Sequence, residues 1–155
     1  MYDHAPLGYK CPLCIAISGQ ENNDTLVAQS DIVYKDGLVM AFISSFFIGN
    51  NPGHVVIVPN KHFENIYSLP LEYANRIQEI AKKVAVALKE AYKCGGVGLL
   101  QNNEPIGDQH AFHYHLHVFP RYENDELFKN MKDKQSTTSE QRLPYADKIR
   151  AALSL

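Results

Sequence analysis

The sequence predicts an α+β fold: an antiparallel sheet of about five strands, one long helix and short terminal helices. Three observations carry this. Short apolar, β-rich runs flank Lys35-Asp36-Gly37, and an Asp-Gly turn between two such runs is a strong hairpin signal. A long run after Pro70 places apolar residues at helical spacing. His113, His115 and His117 alternate with Tyr114, Leu116 and Val118, the period of two that a strand imposes on its side chains.

Taken in order, residues 1–10 read as an irregular arm, Cys11 to Ile17 as a turn running into a short helix, and Ser18 to Asp24 as a polar loop. The hairpin strands are Asp31 to Tyr34 and Leu38 to Ile43. Ser44 to Pro52 is a loop carrying a Phe46-Phe47 pair, His54 to Pro59 a third strand, and Phe63 to Leu69 a connector. Pro70 begins the helix, where its fixed φ fits and its missing N–H costs nothing. Ala74, Ile77, Ala81, Val84, Leu88 and Ala91 give that helix one apolar face, and Gly95-Gly96 stops it. Gly96 to Gln101 is a fourth strand and Asn102 to Ala111 a loop. The histidine run is the fifth strand, ended by Pro120. Glu123 to Glu140 is polar and expected to be poorly ordered. Pro144 is expected to start a short helix, Tyr145 to Ala152.

A chain of 155 residues is long enough for one real core. With 15 basic and 17 acidic residues, nothing in the charge balance favours duplex nucleic acid or an anionic membrane. A small anionic substrate needs only a local positive site. No apolar run is long enough to span a bilayer, and Met1-Tyr2-Asp3-His4 lacks the features of a secretory signal, so a cytoplasmic protein is expected. Three cysteines make no disulfide framework. Cys11-Pro12-Leu13-Cys14 reads as metal or redox, with Cys94 left over.

The histidine run carries the chemistry. Three of the seven histidines on one strand face are hard to explain by packing, because buried imidazoles need polar partners. Imidazole can serve as acid, base, nucleophile or metal ligand near neutral pH. The residues alone leave two readings open: a metal site or a site for phosphate chemistry.

His113-Tyr114-His115-Leu116-His117-Val118-Phe119 resembles the signature of the histidine triad (HIT) superfamily of nucleotide hydrolases and transferases. Gly53-His54-Val55-Val56-Ile57-Val58-Pro59-Asn60-Lys61-His62 is similar to a second stretch of that family. Asn102-Asn103-Glu104 and Gln109 stand at its usual distances before the triad. The likeness runs from about Cys11 to Arg121, so the HIT domain is expected over residues 1–122 and a polar extension over 123–155.

The resemblance implies roles. His115 is the nucleophile that forms a nucleotidyl-histidine, its other nitrogen held by the carbonyl of His113. His117 hydrogen-bonds the phosphate or leaving-group oxygen, and His54 adds positive charge to the phosphate pocket. Gln109 contacts the phosphate region, and Asn103, or else Asn102, the nucleotide. At the ribose position the family's acid or amide is replaced by Phe46, or by Ser44 or Ser45 if the loop carries extra residues, which weakens the grip on the hydroxyls. Asp108 and His110 also depart from the family pattern.

Some HIT proteins, and the related galactose-1-phosphate uridylyltransferases, hold a structural zinc. The matching positions are Cys11, Cys14, His62 and His113, with a metal-free pair of reduced cysteines as the alternative. The family further implies a homodimer and a purine nucleotide or nucleotide conjugate as substrate. The leaving group stays open between phosphoramidates and dinucleoside polyphosphates. Two rival readings are a nucleotide-binding scaffold with little turnover and a hydrolase whose zinc sits on the three triad histidines.

Overall fold

The computed structural model describes residues 2–153, so Met1 and residues 154–155, the outer ends of the two expected segments, lie outside the described residues. The fold class is as expected. Helix α1 (Pro12–Ile17) is followed by strands β1 (Ile32–Lys35), β2 (Val39–Ile43), β3 (Phe46–Phe47) and β4 (Val55–Pro59). Helix α2 (Leu71–Tyr92) leads to β5 (Gly96–Gln101) and β6 (Leu116–Arg121), then to α3 (Leu127–Asn130), β7 (Gln135–Ser136) and α4 (Ser139–Leu153). Five strands form one antiparallel sheet in the order β1-β2-β4-β6-β5, and β3 pairs separately with β7. Among the described residues no helix is long and apolar enough to cross a membrane.

The hairpin forms because Asp36 organises its turn: its Oδ1 accepts from the backbone N–H of Leu38 and of Val39, each at 2.8 Å. Helix α2 buries Tyr73, Ile77, Ile80, Ala81, Val84, Ala87 and Leu88 against the sheet, the stripe its spacing requires. Pro70 is its N-cap, one position before the first helical residue. The helix ends before the glycines. Lys93 adopts the left-handed conformation, and Lys89 Nζ caps the carbonyls of Cys94 and Gly95 at 2.8 and 2.9 Å.

Three local expectations are corrected. Strand β6 runs through Pro120 to Arg121, because β4 has already ended opposite Val118 and no ladder bond is lost on that side. Residues 123–140 are ordered. Asp125 is a buried hub that accepts from Arg121 Nε, from Asn51 Nδ2 and from the backbone N–H of Tyr122 and Leu127, while Leu127 packs with Ile48 and Phe119. The last helix starts at Ser139, not at Pro144. Thr138 and Gln141 form a capping box, with Thr138 N–H donating to Gln141 Oε1 at 2.9 Å and Gln141 N–H to Thr138 Oγ1 at 3.4 Å. Pro144 therefore sits inside the helix.

Helix α4 buries Ala146 and Ile149 in the main core, so the C-terminal residues share the core of the preceding domain. A buried ion pair, Arg142 Nη2 to Asp31 Oδ2 at 2.8 Å, fastens it to the start of β1. Tyr145 lies directly on Gly53, where a Cβ would meet its ring carbon Cδ1 at 2.2 Å. Gly53 also has φ +73°, so both backbone and space call for glycine immediately before His54.

Candidate active site and metal cluster

Two sites share the segment between Ala111 and His117. Its first half is not a strand. His113 N–H turns back to the carbonyl of Ala111, Tyr114 N–H donates to the carbonyl of Phe63, and regular pairing begins at Leu116. The three imidazoles therefore divide between two destinations instead of forming one row.

His113 is fully buried and faces the N-terminal cysteines. Its Nδ1 lies 3.4 Å from Cys11 Sγ and 3.5 Å from Cys14 Sγ, and Cys14 Sγ lies 3.4 Å from His62 Nδ1. One ligand atom from each of Cys11, Cys14, His62 and His113 falls within a 4.8 Å span. Zinc ligands at tetrahedral positions are roughly 3.4–3.8 Å apart, so the donor set fits that ion. His113 Nε2 donates to the Pro59 carbonyl at 2.9 Å, which leaves Nδ1 unprotonated toward the sulfurs. Without a cation, burial and the adjacent Cys11 push the Cys14 thiol up to about 12. A divalent ion between the two sulfurs would oppose both effects.

His115 and His117 face the other way, into a cavity of about 670 Å³ that His54 also lines. His115 Nδ1 donates to the carbonyl of His113 at 2.7 Å, so its Nε2 carries the lone pair. His54 Nε2 lies 3.2 Å from His117 Nδ1, and the His54 ring stacks on Phe119 at 4.2 Å between centroids. His54 Nδ1 is buried with no partner among the described residues. An orphan acceptor is tolerated more readily than an orphan donor, so the shared proton belongs on His54 Nε2, and His117 Nε2–H is left as a donor.

Burial pushes His54 down to about 3 and holds His117 well below its ordinary range, with the charges of neighbouring groups adding to the latter. Burial also lowers His115. The His113 carbonyl opposes that shift, and His110 and Lys134 reinforce it. Burial therefore disfavours the positive charge expected on His54, whose ring meets His117 through a hydrogen bond.

The remaining candidates separate clearly. Asn102, Ser44, Ser45 and Phe46 line the cavity. Asn103 does not: its Oδ1 accepts from the N–H of Ile66 at 2.8 Å and its Nδ2 donates to Gln101 Oε1 at 2.8 Å. Gln109 is buried in its own loop, its Nε2 donating to the Glu64 carbonyl at 2.6 Å and its Oε1 accepting from Glu104 N–H at 2.8 Å. Both hold the loop in shape. Of the two serines, Ser45 spends its hydroxyl proton on the Leu26 carbonyl at 3.0 Å.

Sequence reasoning missed Phe128, Met131, Lys132 and Lys134, which line the same cavity from the C-terminal segment. The Thr138-Gln141 capping box was the signal that this segment leads into a helix, though nothing in the sequence tied it to the histidines.

Taken together, the sheet, the cavity carrying an aimed imidazole and the second histidine–cysteine cluster define a histidine triad protein. The chain belongs to the HIT domain family, which matches residues 25–124. It is 31% identical over 118 residues to "Protein hit" of Bacillus subtilis, covering 76% of this chain and 75% of that one. Over 70 residues it is 34% identical to adenosine 5'-monophosphoramidase HNT1 of Saccharomyces cerevisiae, covering 44% of this chain and 41% of that one. The crystal structure of a zinc-bound histidine triad family protein from Mycobacterium smegmatis superposes with a TM-score of 0.73 at 24% identity, covering 93% of both chains, a likeness of fold. Members of the family are generally nucleotide hydrolases.

Proposed function

We propose that the chain hydrolyses purine nucleotide conjugates, either nucleoside 5′-phosphoramidates or dinucleoside polyphosphates, through a nucleotidyl-His115 intermediate. The observation that carries this is the 2.7 Å bond from His115 Nδ1 to the His113 carbonyl, which fixes a neutral tautomer with its free lone pair on Nε2. In the first step Nε2 bonds to the α-phosphorus, the bond to the leaving group breaks, and the leaving group departs with the electron pair, taking up a proton when it is an amine. In the second, water attacks that phosphorus and loses a proton to solvent, the P–N bond breaks and Nε2 regains its pair. His117 Nε2–H donates to a phosphoryl or leaving-group oxygen, oriented from behind by His54. Asn102 and the serines at the loop before β4 meet the nucleoside end. The yeast relative is a phosphoramidase by name, which supports this class of reaction.

In this reading Cys11, Cys14, His62 and His113 would hold a structural zinc, the four side chains supplying its ligands. The ion supplies cross-linking, not chemistry. The protein pairs as a homodimer: β5 is an edge strand of the main sheet, and Leu99 on it and Val86 on α2 are exposed apolar residues. Three free cysteines suit a reducing compartment, and we assign the protein to the cytoplasm.

Turnover of a panel of adenosine and guanosine phosphoramidates and dinucleoside polyphosphates, with mass spectrometry of the quenched enzyme, tests the reading. A nucleotidyl adduct on His115 is the expected result. Tight nucleotide binding with no turnover of any panel member would instead identify a binding scaffold.

A further inference from the structure

We infer that the C-terminal segment 127–136 is a strap that selects the leaving group, with Lys132 and Lys134 binding a phosphate beyond the one attacked; this rests on the nucleotidyl-transfer reading of the site. The strap is anchored on three sides. Strand β7 pairs with β3, Phe46 opposite Ser136 and Phe47 opposite Gln135. Just beyond, Thr137 N–H and Oγ1 both donate to the Ser45 carbonyl at 3.0 Å. Asn130 donates to the Asp125 carbonyl at 3.1 Å and packs against Gly49, where a Cβ would stand 2.6 Å from its Nδ2. Between these anchors Met131, Lys132 and Lys134 face the histidine cavity, and Phe128 lines it just before Asn130.

The charges in that cavity are few. Of the side chains lining it, Lys132 and Lys134 are the fixed cations and Asp108 is the one carboxylate, alongside the histidines. Among the described residues neither lysine lies within ion-pair distance of a carboxylate, so both charges are available to a ligand. Lys134 Nζ instead rests over the Phe46 ring, 5.0 Å from its centroid, which holds the ammonium over the loop bearing Ser44 and Ser45. It is near enough to His115 and His117 for its charge to act at both rings.

Unpaired ammonium groups at the mouth of a cavity whose floor is neutral imidazole suit an anion outside the floor. The attacked phosphate occupies the floor. When the leaving group is a nucleoside phosphate, the bridging P–O bond breaks, its oxygen keeps the electron pair, and the departing phosphate gains one negative charge. Lys132 and Lys134 are placed to compensate that charge as it develops. A neutral amine leaving group offers them nothing.

The experiment compares wild type, Lys134→Ala and the Lys132→Ala/Lys134→Ala double variant on diadenosine tetraphosphate and adenosine 5′-phosphoramidate. The expected result is a fall of about tenfold or more in the ratio of kcat/KM for the first over the second in the double variant, the size of one lost charge-assisted contact. Lys134→Arg should restore most of it. An unchanged ratio, or equal losses on both substrates, overturns the inference. Calorimetric binding of ATP and of AMP, without divalent cations, separates this outcome from failure of the hydrolase reading. A wild-type preference for ATP that drops toward unity in the double variant supports the strap even if neither substrate is turned over. Equal affinity of the wild type for the two nucleotides overturns it.

Discussion

The two faces of the 111–117 segment differ in how far the chain satisfies its own polar groups. On the cluster face every functional atom has a partner within the protein: His113 Nε2 on the Pro59 carbonyl, His113 Nδ1 between two sulfurs, His62 Nδ1 on Cys14. On the cavity face His54 Nδ1 has none among the described residues, and two lysines stand without carboxylates. Burying an unpaired polar atom costs about 1–3 kcal/mol, and the fold bears that cost on the cavity face. In the proposed function the first face is a staple and the second a receptor. They are joined at one atom, the His113 carbonyl, which belongs to a cluster residue and aims the cavity's imidazole.

The largest effect is expected where the receptor face does chemistry. His115→Ala should lower turnover by about a thousandfold or more, because it removes the group that divides one displacement into two. Nucleotide binding, measured by calorimetry, should survive. Near-normal turnover would remove the distinction between the faces, since either could then host the reaction.

Next comes the staple. Cys11→Ser should abolish stoichiometric zinc in protein purified without chelators and lower Tm by about 10 °C, with partial activity retained, since the domain keeps its core. His113→Ala should harm activity more, because it loosens the turn whose carbonyl aims His115. If elemental analysis finds no zinc in the wild type, the cluster is a pair of reduced cysteines packed against two histidines. The staple reading then fails while the receptor face stands.

A smaller effect tests how the receptor face is braced from behind. Gly53→Ala places a methyl against Tyr145 and forces a non-glycine residue to φ +73°. A loss of about 2 kcal/mol in urea unfolding is expected, together with weaker nucleotide binding as His54 shifts. Unchanged binding would show that α4 supports the core without holding the cavity's shape.

The same contrast explains what was legible in the sequence. Local signals were sufficient for the hairpin, because Asp36 makes its own turn bonds, and for α2, because one face of a 3.6-residue period meets the sheet. Cys11 and Cys14 announced themselves by spacing. The failures came where long-range contacts decide. Strand alternation put three histidines on one row, but a turn at Ala111 and the Phe63 carbonyl keep the first half of that run out of the sheet. Asn103 and Gln109 carry the right chemistry at the right distance, yet the loop uses up their hydrogen bonds. The segment 123–140 looks unstructured in sequence because its order depends on Asp125, which is anchored in part by Asn51, far away along the chain. The lysines it delivers to the cavity were invisible for the same reason.

The last prediction uses pH to separate the faces. Burial of the neutral His54 ring, with no acceptor or carboxylate at its free nitrogen, brings it down to about 3, against an ordinary value of 6.5. The unfolded chain therefore takes up a proton at this residue as the pH falls through 6.5, while the folded chain does not until about 3. Within that window the unfolded state binds more protons, so stability rises with pH and is lost on acidification. One such group accounts for about 1 kcal/mol between pH 6.5 and 5.5. His115 and His117 are lowered in the same direction and contribute to the same slope. His54→Asn removes one titrating ring, so the loss of stability between these two pH values, read from urea midpoints, should shrink by about that amount. A phosphate-bearing ligand should also reduce the wild-type loss, because an anion beside His54 favours its protonated form. A slope unchanged by the substitution would mean that the ring is solvated or partnered in solution, and that the cavity face is as self-sufficient as the cluster face.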